Sequence, residues 1–148
     1  MKSKILPPTY FIVLLLLSIG LHFVFPIKKI IFPPYTYLGI LLIIFGIVIN
    51  IWADALFKKS KTTVKPHEKP ISLETSGPFH ISRHPMYLGM AAILLGVSVM
   101  LGSLIPFLFL IIFIIIMETK FILIEEKNLE KTFGKKYLDY KKKVRRWI

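Results

Sequence analysis

Arg83-His84-Pro85 and Glu125-Glu126 are the residues of this chain best suited to chemistry. The first trio stands where a polar, lysine-rich stretch gives way to an apolar run. Pro85 lacks an N–H and has a fixed φ, so it fits the first turn of a helix, with His84 near the N-cap. Such a helix start presents unpaired N–H groups and the positive end of a dipole. With Arg83 and His84 beside it, it can hold an anionic group at a membrane surface. The alternative is a basic pair that anchors a membrane helix at the lipid headgroups. Glu125 and Glu126 are complementary: their carboxylates accept hydrogen bonds from ammonium and hydroxyl groups, or they simply mark the solvated end of a helix. The chain has no cysteine, which removes disulfides, thiolate ligands and cysteine nucleophiles. Its four histidines are scattered, and no metal site is expected.

The elements that must position these residues are membrane helices. Of 148 residues 55% are hydrophobic, and the mean hydropathy is +0.67, too apolar for a soluble domain of this size. The reading is a single all-α transmembrane domain over residues 1–148. Its spans fall at about 8–26, 35–57, 86–102 and 104–124, and a cytosolic region follows at 125–148. Pro7-Pro8 and Pro33-Pro34 open the first two spans, and Trp52 near the end of the second suits the headgroup belt. His22 reads as a helix-packing or interfacial residue. The polar stretch from Lys58 to Ser76, interrupted by Pro66 and Pro70, reads as a surface loop. Gly102-Ser103 leaves so short a connection that the third and fourth spans form an antiparallel hairpin. No breaker follows until Gly134. A helix from Leu104 to Phe133 is about 45 Å long against a hydrocarbon core of about 30 Å, so its last turns leave the membrane. The hairpin thereby returns Glu125 and Glu126 to the side of Arg83 and His84. Beyond Gly134, Tyr137, Tyr140 and Val144 recur at helical spacing among lysines, as in an amphipathic surface helix.

The net charge of +12 points to anionic lipid headgroups, because the basic residues lie between and beside apolar spans; nucleic acid is not an expected partner. Of the 20 lysines and arginines, all but Lys28 and Lys29 fall on the side of the termini and the long loop. The positive-inside bias then makes this a multi-pass protein of the plasma (inner) membrane with both termini cytoplasmic.

Two stretches now face each other: Gly77-Pro78-Phe79 with Arg83-His84-Pro85-Met86-Tyr87-Leu88-Gly89, and Glu125-Glu126 with Leu129, Phe133-Gly134, Tyr137, Tyr140 and Val144. Together they resemble the isoprenylcysteine carboxyl methyltransferase family over about Leu73 to Ile148. The resemblance implies an S-adenosyl-L-methionine-dependent methyltransferase whose lipophilic or prenylated acceptor enters from the bilayer. By position it selects Ile71, Ser72, Leu73, Glu74, Phe79, His84, Pro85, Met86, Tyr87 and Glu125 for the cofactor, to which charge complementarity adds Arg83 and Glu126. Phe79 stands where the family often has tyrosine. Phe121 stands where many relatives have an acceptor-binding arginine, so Lys120, Phe121 and Glu118 are the candidate acceptor contacts. Carboxylate methylation is the first expectation. Glu118 instead suits a cationic or amine acceptor, such as a phospholipid amine. Sterol-type NADPH reductases share a similar Arg-His-Pro turn, and a non-enzymatic lipid-binding scaffold would also explain the lysines.

Overall fold

The computed structural model describes residues 5–25, 27–60 and 71–148. Lys2, Lys4, Pro26 and, in the long loop, Lys61, Lys65, Pro66, Lys69 and Pro70 lie outside the described residues. The described chain is helical almost throughout. Helix α1 is Pro7–Val24 and α2 is Leu38–Lys59, entered through a 3-10 turn at Tyr35–Tyr37. A second 3-10 turn, Gly77–His80, precedes α3 at Pro85–Leu101, and α4 begins at Leu104. As the turn residues predict, Pro85 is the first residue of α3, and Gly102 (φ 67°) ends it in the left-handed region.

Among the described residues, three helices are long and apolar enough to cross a membrane: Pro7–Val24, Tyr35–Lys59 and Leu104–Phe133. The fourth, α3, has 17 residues and is shorter. The outer faces of α1, α2 and α4 carry exposed Leu16, Phe23, Leu41, Ile51, Ile111 and Ile115, as lipid-facing surfaces do.

Helices α2 and α3 pack antiparallel along a glycine seam. Gly39 faces Gly96 and Gly46 faces Gly89, the glycines of each helix standing seven positions apart. A Cβ added at Gly46 would sit 2.4 Å from the Gly89 carbonyl, and one at Gly39 2.3 Å from that of Gly96. In lipid, where apolar burial gives helices little reason to associate, such close backbone approach supplies the attraction. Helix α1 lies antiparallel on α4, tied at one end by His22 Nδ1 and Ser103 Oγ at 2.6 Å and at the other by Tyr10 against Phe121. His22 is therefore a helix-packing residue.

The long helix from Leu104 is continuous to Phe133, but not uniform. After α4 (Leu104–Ile116) it passes through a π-helical segment, Met117–Ile122, before α5 (Leu123–Phe133). Thr119 Oγ1 donates to the Ile115 carbonyl within this region, a bond that competes with the regular ladder. Helix α6 is Lys135–Lys143. Its apolar stripe faces protein and not lipid: Tyr137, Tyr140 and Val144 form a second core with Ala53 of α2 and Phe79 of the 3-10 turn.

Candidate active site

The end of the α3–α4 hairpin brings Arg83 and His84 against Glu125 and Glu126. Arg83 Nη2 lies 2.8 Å from Glu126 Oε1, and His84 Nδ1 lies 3.1 Å from Glu125 Oε2. His84 Nε2, 3.6 Å from Glu126 Oε1, is beyond hydrogen-bond distance and feels that carboxylate as a charge. Tyr87, one turn into α3, stacks on the His84 ring at 5.8 Å and donates to Glu125. Burial of the His84 ring opposes its charging. The bond to Glu125 and the negative charge of both carboxylates outweigh this and raise its pKa above the ordinary histidine value.

A third contributor was not legible in the sequence. The chain's last residues return to the cluster: Arg83 N donates to the Arg145 carbonyl at 3.0 Å, and Ser82 Oγ to that of Arg146 at 3.0 Å. Arg146 then grips Glu126 with two bonds, Nε to Oε1 at 3.1 Å and Nη2 to Oε2 at 2.6 Å, while Nη1 donates to Glu118. Trp147 Nε1 donates to the other Glu118 oxygen at 3.1 Å. The hydrogen bonds to Glu126 raise the Arg146 pKa further. The only signal for this strap in the sequence is two adjacent arginines after a helix.

These contacts sort the residues selected from the sequence. Arg83 and Glu126 neutralise each other, with side chains 7% and 6% exposed, and so form the framework; Glu125, 19% exposed, is the more open carboxylate. Pro85 is buried at the start of α3, and Met86 packs between the two cores. Phe79 is buried with its ring against Phe57 at 5.1 Å, and its carbonyl accepts the Tyr140 hydroxyl at 2.7 Å. The stretch Ile71–Glu74 fastens to the end of α2: Glu74 accepts from Ser60 and Ser76, and Ser72 Oγ donates to the Ser60 carbonyl. Leu73 joins the second core and lines an open cleft of about 350 Å³ with Thr75, His80, Lys136, Asp139 and Tyr140. His80, four residues before His84, is exposed on that cleft.

Of the acceptor candidates, Phe121 is fully buried in the core, edge-on to Tyr10 at 5.7 Å. Lys120 reaches the same ring, its Nζ 5.4 Å from the Tyr10 centroid. Glu118 alone of the three joins the cluster, through Arg146 and Trp147.

Several polar atoms here are buried without a hydrogen-bond partner among the described residues: Arg83 Nε and Nη1, His84 Nε2 and the Tyr137 hydroxyl. Burial and the nearby Glu126 push the Tyr137 phenol up to about 12, so it stays a neutral donor. Orphaned donors beside a half-open carboxylate match a ligand with both a carboxylate and an amine.

A phospholipid methyltransferase profile matches residues 35–136. The chain belongs to that family. This phospholipid methyltransferase family member is therefore an S-adenosyl-L-methionine-dependent membrane methyltransferase acting on a lipid-type acceptor. The match is to the phospholipid methyltransferases and not to the isoprenylcysteine carboxyl methyltransferases specifically; the two are related membrane methyltransferases. It includes α2, beyond the half-chain that the motifs covered, and ends before Tyr137, so the Arg146 strap lies outside it. An uncharacterised protein of Haemophilus influenzae (strain ATCC 51907 / DSM 11121 / KW20 / Rd) is 44% identical over 63 residues, 43% of this chain and the whole of that protein. No solved structure matches the chain.

Proposed function

We infer that this methyltransferase methylates the amine of a phospholipid headgroup at the cytosolic membrane face. The observation that carries the reading is the Glu118–Arg146 pair. It sits at the edge of the cluster, with each side chain 30% exposed. The pair offers a carboxylate and a guanidinium side by side, the complement of a headgroup that carries an amine and a phosphate. Phe121, buried in the core, offers nothing to a carboxylate acceptor.

The cofactor supplies an electrophilic methyl group on a cationic sulfonium. In the reading proposed here, Glu125 accepts its ammonium, while Arg83, the His84 ring through a single N–H, and Tyr137 donate to its carboxylate and hydroxyls. During transfer a positive charge builds on the acceptor nitrogen. A carboxylate already in place at Glu118 stabilises that charge without having to reorganise. The apolar walls from Met86, Phe121 and Ile122 keep water from the nucleophile.

The test supplies purified protein in nanodiscs with methyl-labelled cofactor and two acceptors, phosphatidylethanolamine and a prenylcysteine analogue. Label should enter the phospholipid. Glu118→Gln should reduce that transfer at least tenfold, about 1.4 kcal/mol of transition-state stabilisation, and leave cofactor binding intact. Labelling of the prenylcysteine carboxylate alone would overturn the amine reading.

A further inference from the structure

His84 is surrounded by charge. On the α5 side are Glu125 at 3.1 Å and Glu126 at 3.6 Å; Tyr87 of α3 stacks on the ring and is itself held by Glu125. Arg83 of the same turn and Arg146 of the strap both pair with Glu126, and Arg146 also takes Glu118. Tyr137 of α6 adds a neutral phenol. Three carboxylates thus meet two guanidinium groups, which leaves one negative charge for the imidazole to balance. The imidazole side chain is 4% exposed, so water cannot do so in its place.

We propose that His84 holds a proton in the empty site and releases it when the cationic cofactor binds. This rests on the cofactor reading given above. S-adenosylmethionine carries a sulfonium and an ammonium against one carboxylate, a net charge of plus one, and so fills the single positive vacancy that the imidazolium otherwise fills. Two positive charges competing for one vacancy in a buried cluster favour loss of the one that can leave as a proton. S-adenosylhomocysteine has no sulfonium and no net charge, so beside it His84 keeps its proton. In the transfer, the S–C bond breaks with its electron pair left on sulfur. The acceptor nitrogen, having given its ammonium proton to water, uses its lone pair to form the new N–C bond, and the positive charge passes to it. The vacancy reopens once the methylated headgroup leaves Glu118, and His84 takes up a proton again from water. Charge stays balanced in the cluster through the cycle.

Linkage gives the sign. Below the pKa that His84 has in the empty site, cofactor binding must expel a proton. Affinity for S-adenosylmethionine therefore rises with pH, up to about tenfold per pH unit, and levels off above that pKa. Calorimetry of the full-length protein in detergent, repeated in buffers of different ionisation enthalpy, counts the protons. At about pH 7, S-adenosylmethionine should release about one and S-adenosylhomocysteine close to none. Ring-labelled histidine NMR then identifies the group in the wild-type protein, which has only four histidine rings. One ring should lose its proton on addition of S-adenosylmethionine alone, and its signal should be missing from His84→Gln, which should also show no proton release. Equal release with both ligands, or release that persists in His84→Gln, would overturn the proposal. So would a wild-type protein whose histidine signals do not change with cofactor. If S-adenosylmethionine does not bind at all, it is the cofactor reading that fails.

Discussion

Arg146→Met tests whether the C-terminal strap is part of the site. The side chain makes two charge-assisted bonds to Glu126, whose side chain is 6% exposed, and one to Glu118, where both partners are 30% exposed. A charge-assisted bond to a buried carboxylate contributes about 1.5–3 kcal/mol, and a half-exposed pair at most about 1 kcal/mol. Arg83 stays 2.8 Å from Glu126, so the carboxylate is not left bare. The larger cost of an orphaned buried charge, about 3–5 kcal/mol, therefore does not apply. With the bidentate grip on Glu126 counted as one contact, because Arg83 still holds that carboxylate, the expected loss is about 2–3 kcal/mol, or roughly 6–10 °C in Tm for a chain of this length. Trp147 and Trp52 are the only tryptophans, so Trp52→Phe leaves one reporter on the strap itself. In that background Arg146→Met should shift Trp147 emission to the red below the global transition, because Trp147 loses its docking partner before the helices separate. Arg145→Met is the control: the Arg145 side chain is exposed, and its carbonyl is what binds Arg83. If Arg146→Met melts within about 1 °C of Arg145→Met and Trp147 emission is unchanged, the strap is not held as described.

Gly46→Ala should cost about 1–3 kcal/mol, because the new Cβ meets a backbone carbonyl that can retreat only if α3 moves. Gly20→Ala, with nothing within 4 Å, should be neutral; equal melting temperatures for the two variants would refute the seam. For topology, the cysteine-free chain allows single cysteines at Lys28 and Lys58, and an impermeant thiol reagent outside intact cells should label only Lys28→Cys. Ser103 is unsuitable as a probe because it is 1% exposed and bonded to His22. Labelling of Lys58→Cys from outside would reverse the orientation.

Much of the architecture was legible because it depends on local signals. Pro85 and Gly102 mark the ends of α3, and the short Gly102-Ser103 connection commits the chain to a hairpin. That hairpin is enough to bring Arg83 and His84 to Glu125 and Glu126. The glycine seam left a signal too, seven residues from Gly39 to Gly46 and again from Gly89 to Gly96, but the pairing of those two repeats is a long-range fact. Tyr137 and Tyr140 gave the right periodicity without revealing what they face. A stripe that packs on Phe79 and Ala53 has the same spacing as one that lies in lipid. Arg146 was invisible for a similar reason: its partners are 20 and 28 residues away, across a turn whose angle depends on Gly134.

The π-helical segment explains how one arginine can serve both Glu118 and Glu126. In a regular helix eight residues turn about 800°, which would leave the two carboxylates roughly 80° apart around the axis. A π segment accommodates about one extra residue, so the turn between them falls by about 100° and the offset shrinks to roughly 20°. Glu118 and Glu126 then lie along one face, and the Arg146 guanidinium spans the gap with Nη1 on one and Nε and Nη2 on the other. The irregular turn also allows Phe121 and Ile122 to be fully buried within the same segment that presents Glu118 to the cluster. A straight α-helix would have to give up one of these contacts. The distortion therefore sits where the helix changes from a lipid-facing span to the wall of a charged site. It sets the Glu118 carboxylate in register with that of Glu126, so that one guanidinium reaches both.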